Sequence, residues 1–284
     1  QLIGFGLVLY FSAKGDKTSG PLYTFLLVGL WWIGFAQFTF AKLPPNKPAS
    51  EKLDLNFLTR GFMELNKVWQ QLKKLRVLKW YLTSFFFYNM GVQTVMLAAA
   101  LFGSEILGLP ADKLIITMVI IQLVAVAGAF MMSKLSSIYG NLRVLMGVVL
   151  FWIVICFAAY EVASMKEANV NVENYFYVLA VSVGLVMGGI QSLSRSTYSK
   201  LMPVTNDTAS FFSFYDVTEK VAIVIGIFTF GYIDEVMGMK KSVLSLIVFF
   251  VLGLIGLLIT YQKSKKTNHT LQPTDINVRI TKSL

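Results

Sequence analysis

An all-α integral membrane protein is the fold class this sequence predicts, with a six-helix transmembrane bundle following the end of an earlier bundle. Of its 284 residues, 56% are hydrophobic and 14% charged, with a mean hydropathy of +0.65, whereas soluble domains carry about 25% charged residues. Apolar stretches of about 20 residues recur, the length that crosses roughly 30 Å of hydrocarbon at about 1.5 Å per residue. Lys and Arg collect in alternate connecting segments, so the net charge of +10 reads as membrane topology and implies no nucleic-acid partner. The chain's 23 Phe, 12 Tyr and 5 Trp suit rings placed at bilayer interfaces.

Taken in order, the chain begins at Gln1 inside an apolar run rather than with Met and a signal peptide, so it is read as a fragment of a longer protein. Residues 1–41 are assigned to the end of an N-terminal bundle: the last part of one span to Ala13, a polar turn, Pro21 at the start of a helix, and a complete span over 22–41. Residues 42–80 form a linker. Pro44, Pro45 and Pro48 stop the preceding helix, and a new one is expected from about Ser50. Its apolar stripe is Leu58, Phe62, Leu65, Trp69 and Leu72, with Arg60, Lys67, Lys73, Lys74, Arg76 and Lys79 largely off it. Such a helix lies along a membrane surface or against helix ends; a solvated linker helix and a lipid-binding one are both compatible with the pattern. Residues 81–262 hold six further spans, over 81–103, 113–135, 144–164, 175–200, 211–233 and 243–262, and 263–284 form a polar tail.

Orientation follows from the cations. Segments 42–80, 133–143, 195–210 and 263–284 hold 18 of the 25 Lys and Arg, and the opposite set holds six, which predicts a cytoplasmic linker and C-terminus. The glycosylation patterns Asn206-Asp-Thr208 and Asn268-His-Thr270 would then face the cytoplasm and are discounted. One cysteine, Cys156, and one histidine, His269, provide neither a disulfide nor a metal or haem ligand set, so no cofactor is expected.

Polar groups inside apolar spans are costly and single out candidate sites. Asn89 and Gln93 fall about 12 and 18 Å into their span and share a helix face; they are read as cavity groups or as interhelical hydrogen-bond partners. Gln122 lies near the same depth, with the same two readings. Gly184, Gly188 and Gly189 allow close helix approach. Gln191 and Ser194, assigned with the amides to the substrate pathway, follow along the same span, and Arg195 lies roughly 30 Å from Tyr175, as an interfacial anchor or a gating contact. The apolar run from Val221 to Ile233 is too short to span, so its helix reaches back to Phe211 and carries Asp216, Glu219 and Lys220 inside. Asp216 and Lys220, four apart, are expected to pair, leaving Glu219 as the titrating group. An interfacial charged turn reached by solvent is the alternative.

Ser133-Lys-Leu-Ser-Ser137-Ile-Tyr-Gly140-Asn-Leu-Arg143 resembles the Gly-x-x-x-Asp-x-x-Gly-x-Arg loop of the major facilitator superfamily, with Gly140 and Arg143 retained and Ser133 and Ser137 in place of the glycine and the acid. Together, Tyr88-Asn-Met-Gly-Val-Gln-Thr94, Gly188-Gly-Ile-Gln-Ser-Leu-Ser-Arg195-Ser and Phe211-Phe-Ser-Phe-Tyr-Asp-Val-Thr-Glu-Lys220 resemble the vacuole effluxer-like branch of that superfamily over the whole chain. The resemblance implies the second half of a twelve-span fold whose first half belongs to the rest of the same protein. It further implies secondary active transport of a small polar solute by alternating access, with amino-acid efflux and proton coupling as its specific forms. The branch commonly carries Asp where Met90 stands. A transport-deficient receptor or scaffold is therefore the alternative, and an enzyme is not expected. Expected partners are the solute, protons and the lipid bilayer, in the inner or plasma membrane of a bacterial cell.

Overall fold

The computed structural model describes residues 2–16, 18–43, 57–168, 170–203, 205 and 207–270. Among them all regular structure is helical: α1 (Leu2–Ala13), α2 (Ser19–Lys42), α3 (Phe57–Lys74), α4 (Arg76–Leu101, closed by a π-helical turn Phe102–Ile106), α5 (Ala111–Tyr139), α6 (Asn141–Glu167), α7 (Glu173–Leu201), α8 (Thr208–Met237) and α9 (Met239–Thr270). The linker prolines, the predicted start at Ser50, Asn206 and residues 271–284 lie outside the described residues.

Six helices, α2, α4 with its π turn, α5, α6, α7 and α9, are long and apolar enough to cross a membrane. The sequence predicted seven complete crossings. The remaining predicted crossing, α8, has 30 residues, but Asp216, Glu219, Lys220, Asp234 and Glu235 keep it from being uniformly apolar. Each helix runs past its apolar stretch at one or both ends, because hydropathy marks the part inside hydrocarbon and not the last backbone hydrogen bond. Single glycines reverse the chain at two hairpins: Gly140 between α5 and α6 has φ 85°, and Gly238 between α8 and α9 has φ 83°, conformations open to glycine without the clash a side chain would meet.

Small residues set the closest packing. On α5 and α7, a Cβ at Gly188 would lie 2.0 Å from the Ala125 carbonyl oxygen, and one at Gly128 would lie 2.0 Å from that of Leu185; here the sequence reading of Gly184 and Gly188 holds. On α4 and α9, Gly253 and Gly256 admit Tyr88 and Ser84, whose hydroxyl donates to the Gly253 carbonyl. Gly91 admits the Phe250 ring, which stacks on Trp152 of α6 at 5.6 Å between centroids. The bundle thus has one end where α5 and α8 are joined to their neighbours by the Gly140 and 202–207 connections, called the linker end here, and an opposite end at the Gly238 turn.

Helix α3 docks at the linker end on α8 and α4. Val68 and Leu72 are buried and Leu65 half-buried, while Phe62 and Trp69 are exposed. The predicted stripe is therefore rotated: the periodicity was compatible with two adjacent faces, and packing on α8 selects Leu65, Val68 and Leu72.

Asp207 caps α8. Its carboxylate accepts from the Ser210 hydroxyl at 2.6 Å and from the Ser210 amide at 3.4 Å. The Ser210 hydroxyl, then its amide and the positive field of Lys67, hold the Asp207 carboxyl below the usual carboxylate range. A lowered folded pKa means the cap contributes fully above the unfolded value and is lost as pH falls through the depressed one. Protection of the Ser210 amide, its exchange rate set against the intrinsic rate at the same pH, is expected to fall on acidification below the usual carboxylate range, and Asp207→Ala to leave protection low and independent of pH throughout.

Candidate functional site

The three sequence motifs meet at the linker end. On α4, Tyr81, Phe85 and Tyr88 recur at four and three residues and share one face. On α7, Ser194 and Tyr198 are one turn apart, as are Phe211 and Tyr215 on α8. All seven side chains are buried. The Tyr81 hydroxyl donates to the Ser194 carbonyl at 2.6 Å, the Tyr88 and Ser194 hydroxyls are 2.7 Å apart, and the two tyrosine hydroxyls are 3.4 Å apart. One assignment satisfies all three: Ser194 donates to Tyr88, Tyr88 to Tyr81, and Tyr81 to the Ser194 carbonyl. Tyr198 donates to the Phe211 carbonyl at 2.7 Å. Phe85 stacks on Tyr215 at 4.2 Å, and Tyr215 in turn lies 4.9 Å from Tyr198. The result is an aromatic and hydroxyl seal joining α4, α7 and α8.

Arg195 and Asp216 cover this seal. Their side chains pair at 2.6 Å and are 58% and 51% exposed, and the Arg195 guanidinium stands 5.7 Å from the Tyr215 ring centroid. At that exposure the pair contributes under about 1 kcal/mol to stability, so its value lies in fixing α7 against α8. The sequence predicted Asp216 to pair with Lys220. Instead the approach of α7 brings Arg195 to Asp216, and Lys220 is exposed with no ion pair among the described residues.

Deeper in the bundle, Gln93 of α4 donates to Glu219 of α8 at 3.1 Å. Glu219, without a partner in its own helix as expected, takes one from α4. Asn89 is 2% exposed, and its amide nitrogen, like the Thr94 hydroxyl, has no partner among the described residues.

A cavity of about 880 Å³ opens in the half of the bundle away from the seal. Val95, Met118, Cys156 and Met187 line it together with the α2 residues Trp31 and Trp32. Gln122 is its main polar group, since Thr24 and Thr117 spend their hydroxyls on backbone carbonyls, and Gln122 has no hydrogen bond to a described residue. The structure thus separates the three amides grouped by depth: Gln122 lines the cavity, whereas Asn89 and Gln93 sit within the bundle. Gln191 is exposed, and Ser194 belongs to the seal.

In the loop between α5 and α6, Ser133 and Ser137 are exposed. Asn141 forms the node there: its side-chain oxygen accepts from Ser136 at 2.6 Å and Lys200 at 2.9 Å, and its nitrogen donates to Ser196 at 3.0 Å. Arg143 reaches α9, donating to the Tyr261 hydroxyl at 2.9 Å. Sequence reading missed Tyr81, Tyr198 and Asn141; the signal available on α4 was Tyr81, Phe85 and Tyr88 at four and three residue spacing, on the same span as Asn89 and Gln93. Among the described residues no His, Cys, Asp and Glu side chains gather as a metal set.

The family described as vacuole effluxer Atg22-like matches residues 1–270. An uncharacterized MFS-type transporter of Bacillus subtilis, YxiO, is 29% identical over 238 residues, covering 82% of this chain and 52% of its own. Autophagy-related protein 22 of Cryptococcus neoformans is 27% identical over 257 residues, covering 86% and 47%. Its counterpart in Kluyveromyces lactis is 30% identical over 244 residues, covering 81% and 49%. The chain spans about half the length of the curated relatives it matches. No solved structure matches it significantly. Carrying three motifs that converge on one seal, and matched over nearly its whole length, this all-α, multi-pass membrane chain of the major facilitator type belongs to the vacuole effluxer Atg22-like family.

Proposed function

We propose that the chain is the C-terminal half of a secondary active transporter that moves a small neutral solute, of the amino-acid class, by alternating access. The observation that carries this reading is the placement of a closed seal and an open cavity at opposite ends of one bundle. With the linker end cytoplasmic, as the distribution of cations indicates, the arrangement corresponds to a state closed to the cytoplasm. Opening it requires α4, α7 and α8 to part at Tyr81, Tyr88, Ser194 and the Arg195–Asp216 pair. The apolar cavity wall suits a solute's side chain, and the uncharged Gln122 amide suits one polar group. The ionic groups of an amino acid would be held by the other half of the protein.

Glu219 is the proposed proton-coupling group. As a carboxylate it only accepts, holding Gln93; protonated, it becomes a donor as well and the α4–α8 contact rearranges. Lys220 sits one residue away as its electrostatic neighbour. The test is counterflow and gradient-driven uptake of amino acids in proteoliposomes of the full-length protein. Flux of neutral amino acids driven by an imposed pH gradient is expected, with Glu219→Gln keeping counterflow and losing the gradient effect. Absence of flux for every solute overturns transport, and pH-independent flux unchanged by Glu219→Gln overturns the coupling role. A second reading, a receptor or scaffold that binds without flux, is favoured by the buried apolar Met90 and the exposed Ser133 and Ser137; saturable binding with no counterflow is its signature.

A further inference from the structure

Helix α3 has a face that the bundle leaves uncovered. Its docked side uses Leu65, Val68 and Leu72. Beside that side stand Phe62 and Met63, 73% and 60% exposed, and at its edge Trp69, whose ring stacks on Phe214 of α8 at 6.0 Å between centroids and is 44% exposed. Helical spacing places Phe62, Trp69 and Lys73 along one line, with Met63 and Lys74 roughly a quarter-turn further round the helix.

The charge along this stretch is one-sided. From Asn66 to Lys79 there are five cations and no Asp or Glu. Lys67 has acidic neighbours, Glu64 at 3.6 Å and the field it shares with Asp207. Lys73, Lys74, Arg76 and Lys79 are exposed and make no ion pair among the described residues. The Lys73 ammonium lies 5.9 Å from the Trp69 ring centroid. Arg76 opens α4, a membrane-crossing helix, and one turn later Trp80 lies under the Lys263 ammonium at 5.9 Å, a pairing suited to the headgroup level. Helix α3 therefore runs within reach of the bilayer surface.

We propose that this face of α3, together with the first turn of α4, is a docking surface for anionic phospholipid headgroups of the adjacent leaflet. Lys73, Lys74, Arg76 and Lys79 meet the phosphates, and Phe62 and Met63 enter the boundary between headgroups and acyl chains, with the half-exposed Trp69 at its edge. Zwitterionic headgroups present no net charge to complement the four cations, so the surface selects for anionic lipid. The proposal stands independently of what the protein transports.

Hydrogen exchange of α3 amides in the full-length protein tests it, in phosphatidylcholine nanodiscs with increasing phosphatidylglycerol. Exchange from Phe62 to Lys74 is expected to slow as phosphatidylglycerol rises and to recover at high salt. Replacing Lys73, Lys74, Arg76 and Lys79 by Gln is expected to weaken this lipid response roughly fivefold per cation. A variant with Arg at the three lysines retains it, which separates charge from folding. Equal exchange in both lipids, or an unchanged response in the Gln variant, overturns the proposal. So does slowing in phosphatidylcholine discs by soluble glycerol phosphate alone, which would mark a free-phosphate site.

Discussion

Replacing Gly188 by valine is expected to lower the stability of the bundle by about 3 kcal/mol or more, at the upper end of overpacking effects. Even the first added carbon would lie 2.0 Å from the Ala125 carbonyl oxygen and 2.7 Å from its carbon. Both obstacles are backbone, so no rotamer change relieves them, and α5 and α7 must separate along their whole interface. Gly147 on α6 supplies the control, because nothing lies within 4 Å of a Cβ there. Thermal unfolding in detergent should show a large drop in midpoint for Gly188→Val and little change for Gly147→Val. Equal midpoints would show that the α5–α7 contact is not the tight joint described.

The double substitution Tyr81→Phe with Tyr88→Phe is expected to open the linker end. It removes the bonds from Tyr81 to the Ser194 carbonyl and from Ser194 to Tyr88, along with the contact between the two tyrosines, while keeping the rings and their stacking. At about 0.5–1.5 kcal/mol per hydrogen bond, the balance between closed and open states shifts by roughly 2–3 kcal/mol, about 30- to 160-fold. Distances between spin labels at the exposed positions Thr83 and Ser213 report it as a longer component in the distribution. Tyr23→Phe, remote from the seal on α2, serves as the comparison. An unchanged distance distribution in the double variant would remove the hydroxyls from any gating role.

Much of this architecture was legible because hydrocarbon imposes it. Span lengths, the charged helix α8 and the glycine contacts of α7 all follow from what lipid and close packing demand of a sequence. The seal was harder to read. Tyr81, Tyr88 and Tyr198 are equally suited to bilayer interfaces, and only the approach of α4 to α7 turns them inward. The pairing of Asp216 shows the same limit: Lys220, four residues on, is a plausible partner by local geometry, but Arg195, 21 residues away, wins because the ends of α7 and α8 lie side by side. Depth alone grouped Asn89, Gln93 and Gln122; the rotation of each helix about its axis, which depth cannot give, sends Gln122 to the cavity and Gln93 to Glu219.

The contact between α5 and α7 has a mechanical side. With Gly128, Gly184 and Gly188 admitting backbone against backbone, the two helices have no slack to slide and behave as one stiff beam. Leu114 and Phe176 in the cavity wall stand toward one end of that beam, and Ser194 and Arg195 toward the other. A tilt that swings one end inward must swing the other outward. In the proposed transport cycle the glycine joint would serve as a lever arm, linking occupancy of the cavity to release of the tyrosines without any chain of polar groups between them.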